Sequence, residues 1–233
     1  MLLRKYWENL LDYIFPKECA DCGKEGEYLC SSCFNKIGFI EKFPCFVCNN
    51  GDHEIGICPE CSSKTGIDQI IVATTYTDNL VGQMVEDFKY NYIESLKHTL
   101  AKILNQQIQN RELAGVFWNN VLLPIPLHKK RLIERGFNQA EELAKVLSLK
   151  YNCILEDGLI LRVKNTDQQA KLNRQERFEN LKQAFQFNLK KPVPGKVILI
   201  DDVLTTGVTF AEAAQTLKQA GVQKVVCVAV CHG

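Results

Sequence analysis

Charge of one sign is missing from this sequence. Lysine and arginine number 28, aspartate and glutamate 27, and the net charge is +1. No global field draws the chain onto nucleic acid or a membrane, so contact of that kind requires a local patch. Long apolar runs are missing too. The nearest candidate, MLLRKYWENLLDYIFP at positions 1–16, is short and is interrupted by Arg4, Lys5, Glu8 and Asp12, which excludes a bilayer span. It also lacks the continuous apolar core and small-residue cleavage site of a secretory signal. Its apolar residues Leu2, Leu3, Tyr6, Trp7, Leu10, Leu11 and Ile14 fall close to helical period, and Pro16 ends the run. Residues 1–16 therefore read as an amphipathic helix docked on the rest of the chain, with a membrane-surface or partner-binding helix as the alternative. Internal repeats and low-complexity tracts are absent. So are the GxxxxGK(S/T) and GxGxxG phosphate loops. With 46% hydrophobic and 24% charged residues, the 233-residue chain has a globular composition and room for one ordinary domain plus a small module.

Cysteine, by contrast, is abundant. Eight of the eleven fall in four CxxC pairs within the first 61 residues: Cys19 and Cys22, Cys30 and Cys33, Cys45 and Cys48, Cys58 and Cys61. Cys153, Cys227 and Cys231 are scattered, and the last two lie in an apolar stretch as core thiols. One CxxC turn can be a redox pair, but two such turns aim four thiolates at one centre and complete a tetrahedral Zn2+ shell. Four in series, with no secretory signal, point to reduced thiolates on metal. The segment has too few large apolar residues for a core of its own, so metal would supply its folding energy. Residues 17–66 are expected to form a double zinc ribbon with two structural Zn2+ sites. All eight thiolates are then used, no catalytic position stays open, and His53 reads as a loop residue. The pairs can combine in sequence order or cross-brace, first with third and second with fourth. The short separations within each half favour sequence order.

From about Asp68 the composition changes, and residues 67–233 read as one α/β domain. QIIVATTY, NVLLPIP, GLILRV, KVILI and KVVCVAV are strand candidates. Helical stretches fall near 79–89, 93–109, 138–149 and 208–219; in the third, Ala140, Leu143, Ala144 and Leu147 share one face. Unbroken apolar strands alternating with helices indicate a parallel sheet buried on both faces.

In VILIDDVLTTGVTF, positions 197–210, a buried strand runs into two acids and a Thr-rich loop before a helix. Ligands of such sheets bind at the carboxyl ends of strands. Backbone N–H groups at the helix start and the hydroxyls of Thr205, Thr206 and Thr209 suit a phosphate, and Gly207 allows close backbone approach. Asp201 and Asp202 suit a polyol. Together they describe a site for a ribose phosphate. An acidic strand end with a Thr-rich turn is the bland alternative.

The same run resembles the phosphoribosyl pyrophosphate signature of the type I phosphoribosyltransferases. That resemblance implies that Asp201 and Asp202 hold the ribose hydroxyls as the catalytic pair, and that Thr205, Thr206, Gly207, Val208 and Thr209 hold the phosphate. PIPLHKKRLIERGFNQAEELA from Pro124 and TDQQAKLNRQERFENLKQAF from Thr166, together with the CxxC ribbons, are similar to the ComF competence-protein family. The implied fold is a type I phosphoribosyltransferase-like parallel sheet flanked by helices behind an N-terminal double zinc ribbon. The implied role is in natural transformation, binding phosphoribosyl pyrophosphate with Mg2+ and handling single-stranded DNA on the cytoplasmic side of DNA uptake. Partners would be DNA-uptake or helicase-type competence proteins, with peripheral contact at the inner membrane as a weaker expectation. The alternative is an active phosphoribosyltransferase with an unidentified acceptor, since no base-recognition segment or general base is evident.

Cations fit a pyrophosphate leaving group. His128, Lys129, Lys130, Arg131 and Arg135 follow a strand end. Arg162, Lys164, Lys171, Arg174 and Arg177 surround Gln169 and Asn180 as a candidate lid. Arg131, Arg135 and Arg177 are the pyrophosphate candidates, and Lys89 is similar to a family position. The same groups could instead form a solvated face or track a DNA backbone, with Phe137 and Phe178 available for stacking.

Overall fold

The structure is a computed structural model describing residues 17–42, 44–77, 79–91, 93–164 and 183–233. The helix expected over 1–16, and Lys171, Arg174, Arg177 and Phe178 of the expected lid, lie outside the described residues.

Seven strands are found among the described residues: β1 (Gln69–Thr75), β2 (Val121–Pro124), β3 (Ile154–Leu155), β4 (Ile160–Arg162), β5 (Phe185–Phe187), β6 (Lys196–Leu204) and β7 (Lys224–His232). Five form a parallel sheet in the order β1-β7-β6-β2-β3. The central strands are apolar throughout because both faces are covered. Every residue from Val225 to Cys231 is buried. Side chains alternate across the sheet. Ile198, Ile200, Val226 and Val228 face one core, and Val197, Leu199, Val225 and Cys227 face the other.

The ribbons hold helices α1 (Ser31–Phe34) and α2 (Pro59–Thr65). The first face of the sheet is covered by α3 (Asn79–Tyr90), α4 (Leu96–Asn110) and α7 (Gln139–Tyr151). The predicted stripe of α7, Ala140, Leu143, Ala144 and Leu147, is buried. Asn138 starts that helix by accepting the Ala140 N–H at 3.1 Å. Two shorter helices, α5 (Ala114–Phe117) and α6 (Lys129–Arg135), flank β2 in the chain. The second face is covered by α8 (Val208–Gln219) and by β4 and β5. No helix among the described residues is long and apolar enough to cross a membrane.

One strand assignment needs correction. GLILRV was expected in the parallel sheet, but Ile160–Arg162 pairs antiparallel with Phe185–Phe187 outside it. The sheet edge is taken instead by Ile154–Leu155, beside β2. Gly158 turns the chain away at φ 128°, and Asn188 Nδ2 donates to its carbonyl at 3.0 Å. A two-residue strand carries no readable periodicity, which is why the sequence pattern missed it.

The two ribbons straddle the sheet. Leu29, Cys30, Cys33, Phe34 and Ile37 join the first core; Cys45, Phe46, Ile57 and Cys61 join the second. The linker between them crosses the edge of β1, where the Ile40 N–H donates to Ala73 O at 2.9 Å and Thr74 Oγ1 donates to Gly38 O at 2.8 Å. Gln107 of α4 and Arg111, the residue just after that helix, hold the crossing through the carbonyls of Ile40, Glu41 and Glu54.

Candidate functional site

A cleft of about 750 Å³ opens at the carboxyl ends of β1, β2 and β6. Strand alternation sends the adjacent carboxylates Asp201 and Asp202 to opposite faces of β6, and both line the cleft. On one side Lys89, from α3, brings Nζ to 3.4 Å from Asp202 Oδ1, with both side chains largely buried. On the other side stands Arg162 of β4, its guanidinium 5.5 Å from the Phe185 ring centre. Burial raises the Asp201 carboxyl to about 7, with the Asp202 charge adding; the Asp202 N–H, Lys89 and Arg162 act against them. Burial pulls the Lys89 ammonium down, but Asp202 and Asp201 outweigh it and the net shift is upward. Burial lowers Arg162 to about 10, with the charges of Arg131 and Arg135 adding.

Behind the acids, the chain turns through Gly207 at φ 73°, a left-handed conformation that suits glycine. Helix α8 then starts with no side-chain cap and no acid in its first turn. Its first N–H groups and the positive end of its dipole are thus left for an anion. Thr205 and Thr209 line the cleft; Thr206, Gly207 and Val208 do not, and Val208 is buried in the core.

Across the cleft, α6 presents Arg131 and Arg135 one turn apart. Arg135 donates to Gln139 Oε1 at 3.1 Å and sits 5.4 Å from the Tyr90 ring centre. His128 caps α6 by accepting the Lys130 N–H, while Lys129 and Lys130 are exposed and outside the cleft lining. Phe137 packs on Phe88 at 5.3 Å, so its ring serves the core. Lys164 is exposed.

The eight paired cysteines form two groups, Cys19, Cys22, Cys30 and Cys33, then Cys45, Cys48, Cys58 and Cys61, with all ligand atoms of a group within 4.8 Å of one another. Sequence-order pairing is therefore the arrangement found. Zn–S bonds of ~2.3 Å in a tetrahedron place sulfurs ~3.8 Å apart. Cys22 and Cys30 Sγ lie 3.7 Å apart, and Cys48 and Cys58 Sγ 3.9 Å apart. Backbone N–H groups of Cys30 and Cys61 point at Cys19 and Cys58 Sγ, each at 3.4 Å, as thiolate ligands favour. Both groups fit structural Zn2+. His53 stays outside them and meets Asn50 O at 3.1 Å.

Residues 10–62 match the double zinc ribbon domain, and residues 133–233 match the phosphoribosyl transferase domain. The chain is 28% identical to the DNA utilization protein YhgH of Salmonella typhi over 222 residues, 88% of this chain and 96% of that protein. It is 29% identical to Competence protein F of Haemophilus influenzae over 205 residues, 84% and 87% of the two chains. It is also 29% identical to Competence protein ComFC of Bacillus subtilis over 209 residues, 85% and 81%.

The chain thus joins a double zinc ribbon to a phosphoribosyl transferase domain, and along most of its length it is similar to competence and DNA utilization proteins.

The cleft contains groups that the sequence motifs did not single out. Tyr76, whose O–H donates to Glu86, lines it together with Glu86, Tyr90 and Glu134. Glu86, Lys89 and Tyr90 have the i, i+3, i+4 spacing of one helix face, and Met84, Val85 and Phe88 on the other are buried. That amphipathic spacing was the available signal. What it lacked was the partner: Asp202 lies far along the chain.

The Asp201 shift gives a stability prediction. An aspartate whose carboxyl is raised in the fold favours folding most where it is protonated, and loses that contribution as pH rises through about 7. Asp201→Asn removes the cost of ionising a half-buried, poorly solvated acid. The ligand-free variant should melt several degrees above the parent at pH 8, and the gain should shrink as pH falls below about 7. Thermal scans at pH 6 and pH 8 check this; an equal gain at both would show that Asp201 does not titrate in this window.

Proposed function

We propose that this protein binds phosphoribosyl pyrophosphate with Mg2+ in the β6–α8 cleft and acts in natural transformation, handling single-stranded DNA on the cytoplasmic side of uptake. The observation that carries the reading is convergence. Asp201 and Asp202, the uncapped start of α8, and the four cations Lys89, Arg131, Arg135 and Arg162 meet in one cleft. A ribose with vicinal hydroxyls suits the acids. Its 5′-phosphate suits the α8 turn, with Thr205 and Thr209 adding hydroxyl donors. Its pyrophosphate suits the arginines, and Mg2+ arrives with it as part of the ligand. Of the three pyrophosphate candidates, Arg131 and Arg135 line the cleft, and Arg177 lies outside the described residues.

The DNA-uptake role is supported by the names of the relatives, a DNA utilization protein and two competence proteins. DNA-uptake or helicase-type competence proteins would be its partners, and residues 1–16 would supply any peripheral contact with the inner membrane. A second reading, transfer of the phosphoribosyl group to an acceptor, is favoured by Arg131 and Arg135, which sit where a departing pyrophosphate needs charge.

Calorimetric titration with phosphoribosyl pyrophosphate and Mg2+ tests the shared part. The parent should bind, and Asp201→Asn/Asp202→Asn should show no measurable binding. Retained affinity in the double variant would dismiss this cleft. Pyrophosphate release, assayed with and without single-stranded DNA, separates the readings: turnover supports transfer, and binding without turnover supports the DNA-handling role alone.

A further inference from the structure

The second ribbon and the cleft share a wall. A Cβ built on Gly207 would lie 3.7 Å from Leu204 Cδ1 and 3.7 Å from Val47 Cγ2, so Val47 backs the turn that opens α8. Val47 lies in Cys45-Phe46-Val47-Cys48, between two ligands of the second metal group. Its neighbour Phe46 packs on the His232 ring at 5.0 Å. The next residue, Gly233, donates its N–H to Leu204 O at 3.0 Å and so ties the end of β7 to the end of β6.

The far end of α8 is held from the same side. Gln215 Nε2 donates to Lys64 O at 2.9 Å, and Lys218 Nζ meets Asp68 Oδ2 at 2.8 Å just beyond the ribbon. The first ribbon meets the opposite face of the sheet, where Ser95 Oγ donates to Tyr28 Oη at 3.0 Å and Lys102 Nζ sits 4.6 Å from the Phe34 ring centre.

This asymmetry has a functional consequence. The α8 turn has no side-chain cap of its own, so packing must hold its N–H groups in line. An anion site of this kind depends on donor geometry, and displacements of ~1 Å are expensive. Zinc fixes Cys45 and Cys48, and Val47 between them is fixed with it.

We propose that Val47 and the second zinc centre position the phosphate turn of the cleft, so that metal at Cys45, Cys48, Cys58 and Cys61 sets the affinity for a phosphorylated ligand while metal at the first centre does not. The ligand side of this statement rests on the reading under Proposed function; the mechanical side does not. By linkage, ligand in the cleft also raises the zinc affinity of the second centre alone.

The test uses the full chain and a matched pair of exposed ligands, Cys22→Ser for the first centre and Cys48→Ser for the second. Three quantities are read in each: zinc per chain, amide hydrogen exchange over 204–210, and affinity for phosphoribosyl pyrophosphate with Mg2+. Both variants should retain one zinc. Exchange in the turn should rise, and affinity should fall, by about fivefold to a hundredfold in Cys48→Ser and stay at parental values in Cys22→Ser. Val47→Ala keeps both metals and should move both quantities in the same direction, with Val47→Ile restoring them. If Cys48→Ser does not fold, this pair decides the matter. Turn exchange that is unchanged in Val47→Ala, or that responds equally to the two cysteine variants, overturns the proposal. A parent that takes no phosphoribosyl pyrophosphate, but whose turn loosens in Val47→Ala and Cys48→Ser, overturns the ligand assignment and upholds the positioning.

Discussion

Asp202→Ala is expected to abolish phosphoribosyl pyrophosphate binding and to cost about 3–5 kcal/mol of stability, and adding Lys89→Met should restore the stability but not the binding. Asp202 is 6% exposed, and the Lys89 side chain 13%. Burial works against the ammonium, and Asp202 is the larger of the two charges that keep it protonated. Removing Asp202 leaves a buried cation with Asp201 in support and Arg135 opposed. Removing one partner of a buried pair is costly, while replacing both with apolar groups can be nearly neutral. For a chain of this size the single variant should melt roughly 10 °C lower, and the double variant close to the parent. Binding behaves differently, because a methionine and an alanine cannot replace a carboxylate that accepts from ribose hydroxyls. Thermal scans and calorimetry on the four proteins of this cycle separate the two roles. Parental affinity in the double variant would reduce Lys89–Asp202 to a structural ion pair.

Loss of the first zinc centre should have the largest effect on the fold as a whole. Cys30 and Cys33 are 3% and 1% exposed and share a core with Phe34, Ile37, Leu100 and Leu104. Zinc contributes an apparent 10–16 kcal/mol to small zinc-finger peptides at neutral pH, comparable to the whole stability of an ordinary domain. Cys30→Ser should therefore halve the zinc content from two per chain, lower the melting temperature by more than ~10 °C, and remove hydrogen-exchange protection from α4. A strong zinc chelator at neutral pH should release both ions and expose apolar surface to a hydrophobic dye. Unchanged melting after complete zinc release would show that the ribbons fold on side-chain packing alone.

These expectations rest on features of unequal legibility. The zinc ligands could be read directly, since each CxxC is a local turn and eight thiolates admit few arrangements. The choice between sequence-order and cross-braced pairing required coordinates. Continuous apolar runs announced β6 and β7, and α8 begins and ends where its pattern predicted. Beyond KVILI, β6 continues through Asp201 and Asp202 to Leu204, because strand pairing with β7 outweighs the weak strand propensity of two acids. Short elements stayed hidden: β3 has two residues, β5 three, and neither develops a period. Within the cleft, one segment supplied Asp201, Asp202 and the Thr loop, and so it was visible as a motif. Tyr76, Glu86, Lys89, Glu134 and Arg162 come from four other places in the chain. The strand order brings them together, and no local pattern records it.

The strand order also imposes a timetable on synthesis. β1 is bordered by the linker on one side and β7 on the other, and the side chain of Asp68, just before β1, accepts from the Val225 N–H 157 residues later. At ~5–20 residues per second, a ribosome needs roughly 8–30 s to supply that neighbour. During this interval Ile70, Ile71 and Val72 form an apolar strand with no β7 beside it, the kind of segment that pairs with other chains. The ribbons and the linker that meet the outer edge of β1 are made first. Zinc loading of the nascent chain could thus halve the unpaired edge before the sheet exists, making metal supply a determinant of how much chain escapes aggregation.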